Sequence, residues 1–279
     1  ESMQLSQGPQ LWIQKQQLDN IEYQVVDASP LSQGQLRLKL DEFAFTANNI
    51  TYAAMGDALQ YWRFFPTGDE AKGIIPVWGF AEVVESLHED ISVGERVYGY
   101  FPMAETLIVN PGHVSKNNFM DVSDHRNELA MVYNQYLRCA ADPLYKPETE
   151  ALQMLLRPLF TTSFLIDDFY DDNNCFGAEQ FLLSSASSKT ALGTAFALKH
   201  NRAARNNNYR VVGLTSAANK AFVESLACYD EVITYDDIEN LDASLASTVI
   251  DFAGNGQVLG RVHKHFDQQL KYSCMVGAS

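Results

Sequence analysis

Gln180-Phe181-Leu182-Leu183-Ser184-Ser185-Ala186-Ser187-Ser188-Lys189-Thr190-Ala191-Leu192-Gly193 carries the reading of the second half of this 279-residue chain. Phe181 to Leu183 make a short apolar strand, and residues 189–200 have the length and composition of a helix. Between them lies a run of small, hydroxyl-bearing residues. A strand that turns directly into a helix aims backbone N–H groups and the positive end of the helix dipole at one point, where an anion is held. A pyrophosphate at that point needs a tight turn, close backbone approach and close packing of helix on sheet. Glycine meets those needs in the pattern G-x-G-x-x-G; here the three positions are Ser185, Ser188 and Ala191. Serine and alanine are small, serine hydroxyls donate to phosphate oxygens, and Lys189 adds a positive charge at the helix start. Ser185, Ser187, Ser188, Lys189 and Thr190 are therefore the candidate phosphate-binding residues. The competing reading is an ordinary helix entry with serine as its N-cap.

Outward from this segment, strands and helices alternate. Residues 210–214, 231–235, 248–251 and 272–276 read as strands; 219–228 and 257–266 read as helices. Strands separated by helices imply βαβ units and a parallel sheet, the Rossmann-type α/β arrangement for a nucleotide. The strand after the phosphate loop ends in Leu214-Thr215-Ser216, followed by Asn219 and Lys220. A site that prefers NAD ends this strand with an acid for the ribose hydroxyls. With no acid there, a 2′-phosphate is not repelled, and Thr215, Ser216 and Lys220 are candidates to hold it. The expected cofactor is NADP.

The first half reads as β-rich. Leu36, Leu38 and Leu40 alternate with Arg37, Lys39 and Asp41, the period of a half-buried strand. Residues 80–85, 96–101 and 106–109 follow as strands bounded by turn residues, which suggests a small barrel or sandwich. Residues 128–138 read as a helix, and 148–170 as one or two more. Tyr61, Trp62, Phe64 and Phe65 form an aromatic cluster suited to a core or to the wall of an apolar pocket.

Composition narrows the function classes. Apolar residues make up 46% of the chain, enough for packed cores, and the formal charge is −15, with 35 acids against 20 bases. A surface that negative repels phosphate backbones, so neither nucleic acid nor an anionic membrane is an expected partner. No apolar run reaches the ~20 residues that cross a bilayer. The start lacks a secretory signal, and with Met3 in third place Glu1 and Ser2 are expected to be an added remnant. Cys139, Cys175, Cys228 and Cys274 are far apart and form neither a zinc motif nor a disulfide framework. These features predict a cytoplasmic protein. No metal site is expected: His263 and His265 stand two apart on a helix and face different ways. Asp167, Asp168, Asp171 and Asp172 lack the glycine and spacing of a calcium loop and read as a solvated helix end. Ser184 to Ser188 is not the G-x-S-x-G of a hydrolase.

Taken together, the order of features resembles the medium-chain dehydrogenase/reductase superfamily, and most of all its zinc-free, quinone-reductase-like members or a branch near them. The resemblance rests on several segments of the first half. Ala47-Asn48-Asn49-Ile50-Thr51-Tyr52-Ala53 is similar to the family's N-x-x-D segment. Pro76 to Val84 resembles P-x-x-G-x-E-x-x-G-x-V, Val93-Gly94-Glu95-Arg96-Val97-Tyr98-Gly99 resembles V-G-D-R-V-x-G, and Ala104-Glu105-Thr106 resembles A-E-Y. In the second half, Leu159 to Ser163 stand where the family has its T-A-Y hinge helix. Val249 to Gly256 look like V-D-x-V-G-G, and Met275-Val276-Gly277 like the strand before the nicotinamide end. The early cysteine ligand of the zinc alcohol dehydrogenases has no counterpart near Asn49, and the four-cysteine lobe is missing.

The resemblance implies a β-rich GroES-like domain over residues 1–155 and a Rossmann domain over 156–279 that lacks its C-terminal end. It implies zinc-independent hydride transfer from NADPH to a conjugated carbonyl or quinone-like small molecule, with Tyr52, Thr161 and Thr162 as candidate donors to the developing oxyanion. Asn48 and Arg157 become candidate substrate contacts and Gly277 a candidate cofactor contact, and a homodimer through sheet edges is in keeping with the family. The alternative from another class is a sensor or scaffold that binds NADP without catalysis.

Overall fold

The computed structural model describes residues 4–277. The chain divides into two compact units, Glu1–Leu156 and Arg157–Ser279.

The first unit is a curled antiparallel sheet. Its strands are β1 (Ser6–Gln14), β2 (Gln17–Val26), β3 (Leu36–Ala44), β4 (Lys72–Gly73), β5 (Pro76–Ser86), β6 (Arg96–Pro102), β7 (Ala104–Val109), β8 (Pro111–Gly112), β9 (Asn118–Asp121) and β10 (Gln135–Arg138). They pair in the order β2-β1-β7-β3-β5-β6-β10-β9-β8, with β4 beside β1. A short helix, α1 (Ala47–Ala54), follows β3. Leu36 and Leu38 enter a core with Val77, Val83, Val97, Leu107 and Phe119, as their alternation predicts. The Val93–Gly99 segment earns its residues structurally. Glu95 accepts from Arg138 at 2.8 and 2.9 Å and so ties the turn before β6 to β10. Arg96 reaches both carboxylate oxygens of Glu150, at 2.5 and 2.6 Å, and also Asp41 at 2.9 Å.

One sequence expectation fails in this unit. Residues 128–138 are not a helix: a single 3-10 turn, Met131–Tyr133, leads into β10. Tyr136 is fully buried there, pairing opposite Phe119, and Asn134 turns its side chain onto the Arg126 carbonyl, so strand pairing overrides the helical pattern. The hairpin of β1 and β2 was not legible either, for a reason taken up below.

The second unit is a parallel sheet of β11 (Gln180–Leu183), β12 (Arg210–Thr215), β13 (Glu231–Thr234), β14 (Ser247–Asp251) and β15 (Leu270–Met275). The spatial order is β13-β12-β11-β14-β15. The remaining helices are α2 (Glu150–Asp172), α3 (Lys189–Asn201), α4 (Ala217–Ser225) and α5 (Gly256–Phe266). Strand residues alternate between two cores. Phe181, Leu183, Val211 and Ile250 pack with Ile166 and Tyr170 of α2, Ala195 and Leu198 of α3 and Val223 of α4. Leu182, Val212, Leu214 and Val249 pack with Val258, Val262 and Phe266 of α5. Helices thus cover both faces, which is why these strands read as continuous apolar runs. α4 ends at Ser225, short of the expected Cys228, because Ala227 takes a φ of +53°. Asp167 is not solvated as expected. It is buried and holds Arg205 through two bonds of 2.8 Å, and Asn201 at 2.7 Å. Among the described residues no helix is long and apolar enough to cross a membrane.

Candidate functional site

In an open parallel sheet, ligands bind outside the carboxyl ends of the strands where the strand order reverses. Here that point lies between β11 and β14. Ser184, just past β11, donates its hydroxyl to Asp251 Oδ1 at the end of β14 over 2.5 Å. The same hydroxyl accepts the N–H groups of Phe252 and Ala253, at 2.9 and 3.1 Å. Asp251 is only 2% exposed, and its Oδ2 has no hydrogen-bond partner among the described residues. The Asp251 carbonyl accepts from Val276 and Gly277 at 2.9 Å each, which draws the end of β15 to the same place. Gly277 sits so close to the Phe252 carbonyl that no side chain would fit.

The loop above this anchor runs from Ser185 to the start of α3. Ser185 adopts a φ of +48°, the left-handed region where glycine is usual. Ser188 is the N-cap of α3, its hydroxyl accepting Ala191 N–H at 3.3 Å. Ala191, the third of the small residues, is fully buried. The glycine that gives the loop room lies on the neighbouring strand instead. A Cβ on Gly213 would stand 2.9 Å from Ala186 Cβ and 3.0 Å from the Tyr229 ring. Ala186 is fixed from both sides, its N–H on the Leu214 carbonyl at 3.1 Å and its carbonyl accepting from Tyr229 Oη at 2.9 Å. The amides of Ser187, Lys189 and Thr190 have no hydrogen-bond partner among the described residues. They open from the start of α3 beside the exposed Lys189 side chain. Unsatisfied N–H groups, a helix N-terminus and a cation are what a phosphate group requires, so the residues present fit one.

The first turn of α4, just after β12, lies beside this loop: Asn219 Nδ2 donates to Ser187 Oγ at 3.3 Å. Ser216 is the N-cap of α4 and exposed, with no acid in the first helical turn. Lys220 is partly exposed, 3.9 Å from Glu224. Thr215 is buried, so Ser216 and Lys220 are the members of that trio that face solvent. Two residues here were missed by the sequence reading. Tyr235 Oη accepts the Ser185 N–H at 2.9 Å, and burial raises its pKa. Asp251 was seen only as part of a strand. A half-buried tyrosine and an acid closing parallel strands next to a phosphate loop were the available signals.

The remaining candidates fall in separate units. In the second, Thr162 donates to the Pro158 carbonyl at 3.0 Å, and Thr161 and Arg157 are half-buried on α2. Neighbouring Ser163 donates to the Thr190 carbonyl at 2.9 Å, joining α2 to the start of α3. In the first unit, Asn48 is exposed on α1, whereas Asn49 is buried, closing the capping box of that helix and donating to the Pro76 carbonyl. Tyr52 accepts from Trp78 Nε1 at 3.1 Å. Its ring lies 4.7 Å from Tyr61 and edge-on to Tyr100 and Tyr133, at 5.7 and 6.5 Å. Burial pushes the Tyr52 hydroxyl up to about 12, so it stays a neutral proton donor across physiological pH. Trp62, Phe64 and Phe65 are core, while Tyr61 joins Tyr52, with its hydroxyl 3.3 Å from that of Tyr133. Among the described residues no group of three or more His, Cys, Asp or Glu side chains is placed to hold a metal.

A family model described as "Protein of unknown function (DUF2855)" matches residues 43–279. No curated protein matches the sequence. Among solved structures, CurA of Vibrio vulnificus in complex with NADPH is similar to the chain with a TM-score of 0.57 at 13% identity, over 96% of this chain and 72% of that one. A protein assigned as an NADPH:quinone reductase from Bacillus thuringiensis is similar with a TM-score of 0.53 at 14% identity, over 97% and 72%. The fold is accordingly the two-domain arrangement of the medium-chain dehydrogenase/reductase superfamily, a GroES-like antiparallel sheet followed by a Rossmann domain.

Proposed function

The chain belongs to the family described as a protein of unknown function (DUF2855), and we propose that this member is a zinc-independent, NADP(H)-dependent oxidoreductase acting on a conjugated carbonyl or quinone-like small molecule. The observation that carries this reading is the loop at the sheet's switch point, whose unpartnered amides of Ser187, Lys189 and Thr190 open beside a strand end without an acid. The NADPH held by the similar V. vulnificus protein supports it. So does the stretch around Asn49, which has no counterpart of the early cysteine that ligates zinc in alcohol dehydrogenases.

In this reading Ser185, Ser187, Ser188, Lys189 and Thr190 bind the pyrophosphate, Ser216 and Lys220 the 2′-phosphate, with Thr215 behind them, and Gly277 lets the chain pass close to the nicotinamide end. Bound NADPH supplies the hydride. Of the donors expected from the sequence, Tyr52 keeps its hydroxyl proton to give to the oxyanion that forms on the substrate, whereas the Thr162 hydroxyl is already given to the Pro158 carbonyl. The lysines test the assignment. Lys189→Ala is expected to weaken NADPH and NADH alike by ~1–3 kcal/mol, the worth of a charge-assisted hydrogen bond. Lys220→Ala is expected to weaken NADPH more than NADH. Fluorescence titration of both variants with both nucleotides checks this, and unchanged affinities would remove the lysines from the site. A second reading, NADP binding without catalysis, is favoured by one observation: the first N–H of the loop, on Ser185, is already taken by Tyr235. Tight NADPH binding with no oxidation of NADPH across a panel of quinones and enones would select it.

A further inference from the structure

β2 is built inside out. On a strand with one face on its own fold, apolar side chains normally turn inward and polar ones to water. In β2 the reverse holds: Ile21, Tyr23 and Val25 are 60, 68 and 60% exposed, while Glu22 and Gln24 are half-buried. The register is not slack, because Glu22 is fastened from three sides. Gln14 donates to its Oε1 at 2.7 Å, and Lys72 and Gln24 to its Oε2 at 2.7 and 3.2 Å. A slip of β2 by one residue, which would bury the apolar set, would break the two bonds from Gln14 and Lys72.

The same residues carry the open backbone. β2 is the edge of its sheet, and among the described residues it pairs with β1 alone. Leu11 sends its N–H away from β2 to the Met103 carbonyl at 3.1 Å. Leu11 stands opposite Tyr23, so this is a non-hydrogen-bonded pair of the ladder, and Tyr23 turns its own N–H and carbonyl to the open side. Ile21 and Val25, two residues to either side, do the same. The exposed apolar row runs on into a groove formed by Leu11, Leu40, Phe43 and Met103.

We propose that this edge is the interface of a homodimer, in which β2 pairs antiparallel with β2 of a second copy about a two-fold axis through Tyr23. That register is self-complementary. Tyr23 meets Tyr23 of the second copy and Ile21 meets its Val25, each pair joining residues whose backbone groups already point outward and exchanging two hydrogen bonds. On the other face Glu22 meets Gln24, so no two carboxylates oppose each other. An axis one residue away, at Glu22, would keep the outward backbone groups paired but would set the Glu22 carboxylate directly against that of the second copy. A long apolar edge left unpaired is an aggregation hazard in a chain otherwise free to place charge there, and a second copy covers both the edge and the groove.

Sedimentation of the full chain over a range of micromolar concentrations is expected to show a dimer, and Tyr23→Glu is expected to give a monomer with an unchanged circular dichroism spectrum. Cysteine cross-linking reads the register without disturbing the fold. In a hydrogen-bonded antiparallel pair the Cα atoms are ~5.5 Å apart, within disulfide reach. Under mild oxidation Tyr23→Cys is expected to give a covalent dimer, Ile21→Cys alone to give none, and Ile21→Cys combined with Val25→Cys to give one. The native chain, with its four free cysteines, is the control and is expected to give none. A monomer at every concentration, a dimer untouched by Tyr23→Glu, or no cross-link through Tyr23→Cys overturns the proposal. If Tyr23→Glu fails to fold, the cysteine variants decide.

Discussion

Arg126→Met is expected to cost the first unit about 3–5 kcal/mol, the penalty for leaving a buried charge without its partner. Arg126 Nε lies 3.3 Å from Asp121 Oδ2, and both side chains are 1% exposed. The guanidinium is also stacked over Phe65 and Phe64, at 4.9 and 5.7 Å from the ring centroids. Methionine fills much of the space but leaves Asp121 charged in the core. Adding Asp121→Asn is expected to recover most of the loss. The turn-forming bonds all use Asp121 Oδ1, which accepts Ser123 N–H at 3.0 Å, Ser123 Oγ at 2.5 Å and Asn110 N–H at 3.3 Å. Asparagine keeps that oxygen and removes the charge. Urea unfolding followed by tryptophan fluorescence measures this unit selectively, since Trp12, Trp62 and Trp78 all lie within it. A loss under 1 kcal/mol in the single variant, or no recovery in the double one, would show that the pair is not what holds this corner.

Gly213→Val is expected to lower NADPH affinity about 10- to 100-fold while leaving the tryptophan-detected unfolding in place. The first atom of any side chain there would press on Ala186 and Tyr229. Neither can retreat, because Ala186 is tied to Leu214 and to Tyr229 itself. Overpacking of this kind costs about 1–3 kcal/mol, and the segment able to yield is the phosphate loop. Gly213→Ala is expected to show a smaller loss in the same titration. A folded Gly213→Val chain that binds NADPH as the native one does would separate the loop from the cofactor.

The fold of the second unit was legible because its central strands β11, β12 and β14 are buried on both faces and two of its helices open on a capping side chain. Ser188 and Asn255 are side-chain caps in the structure as their residue types suggest. In the first unit legibility depended on the burial pattern. Leu36 and Leu38 point into the core and announced β3; Ile21, Tyr23 and Val25 point out of it and concealed β2. Residues 128–138 misled for another reason: Tyr136 and Leu137 owe their strand conformation to β6 and β9, which lie elsewhere in the sequence.

The site divided the same way. The serines of the loop and the missing acid after Leu214 are local signals, readable from spacing. Tyr235 reaches Ser185 across 50 positions and Ser184 reaches Asp251 across 67, and no local pattern records such pairings. The Val93–Gly99 motif pointed to the right fold but not to chemistry, since its Glu95 and Arg96 side chains serve Arg138 and Glu150.

The most direct test of the central claim is a calorimetric titration of the full chain with NADPH and, separately, with NADH. The loop of Ser184 to Lys189, with Ser216 and Lys220 beside it, predicts micromolar binding of NADPH and markedly weaker binding of NADH. No heat from either nucleotide would contradict the assignment of this switch point as a dinucleotide site.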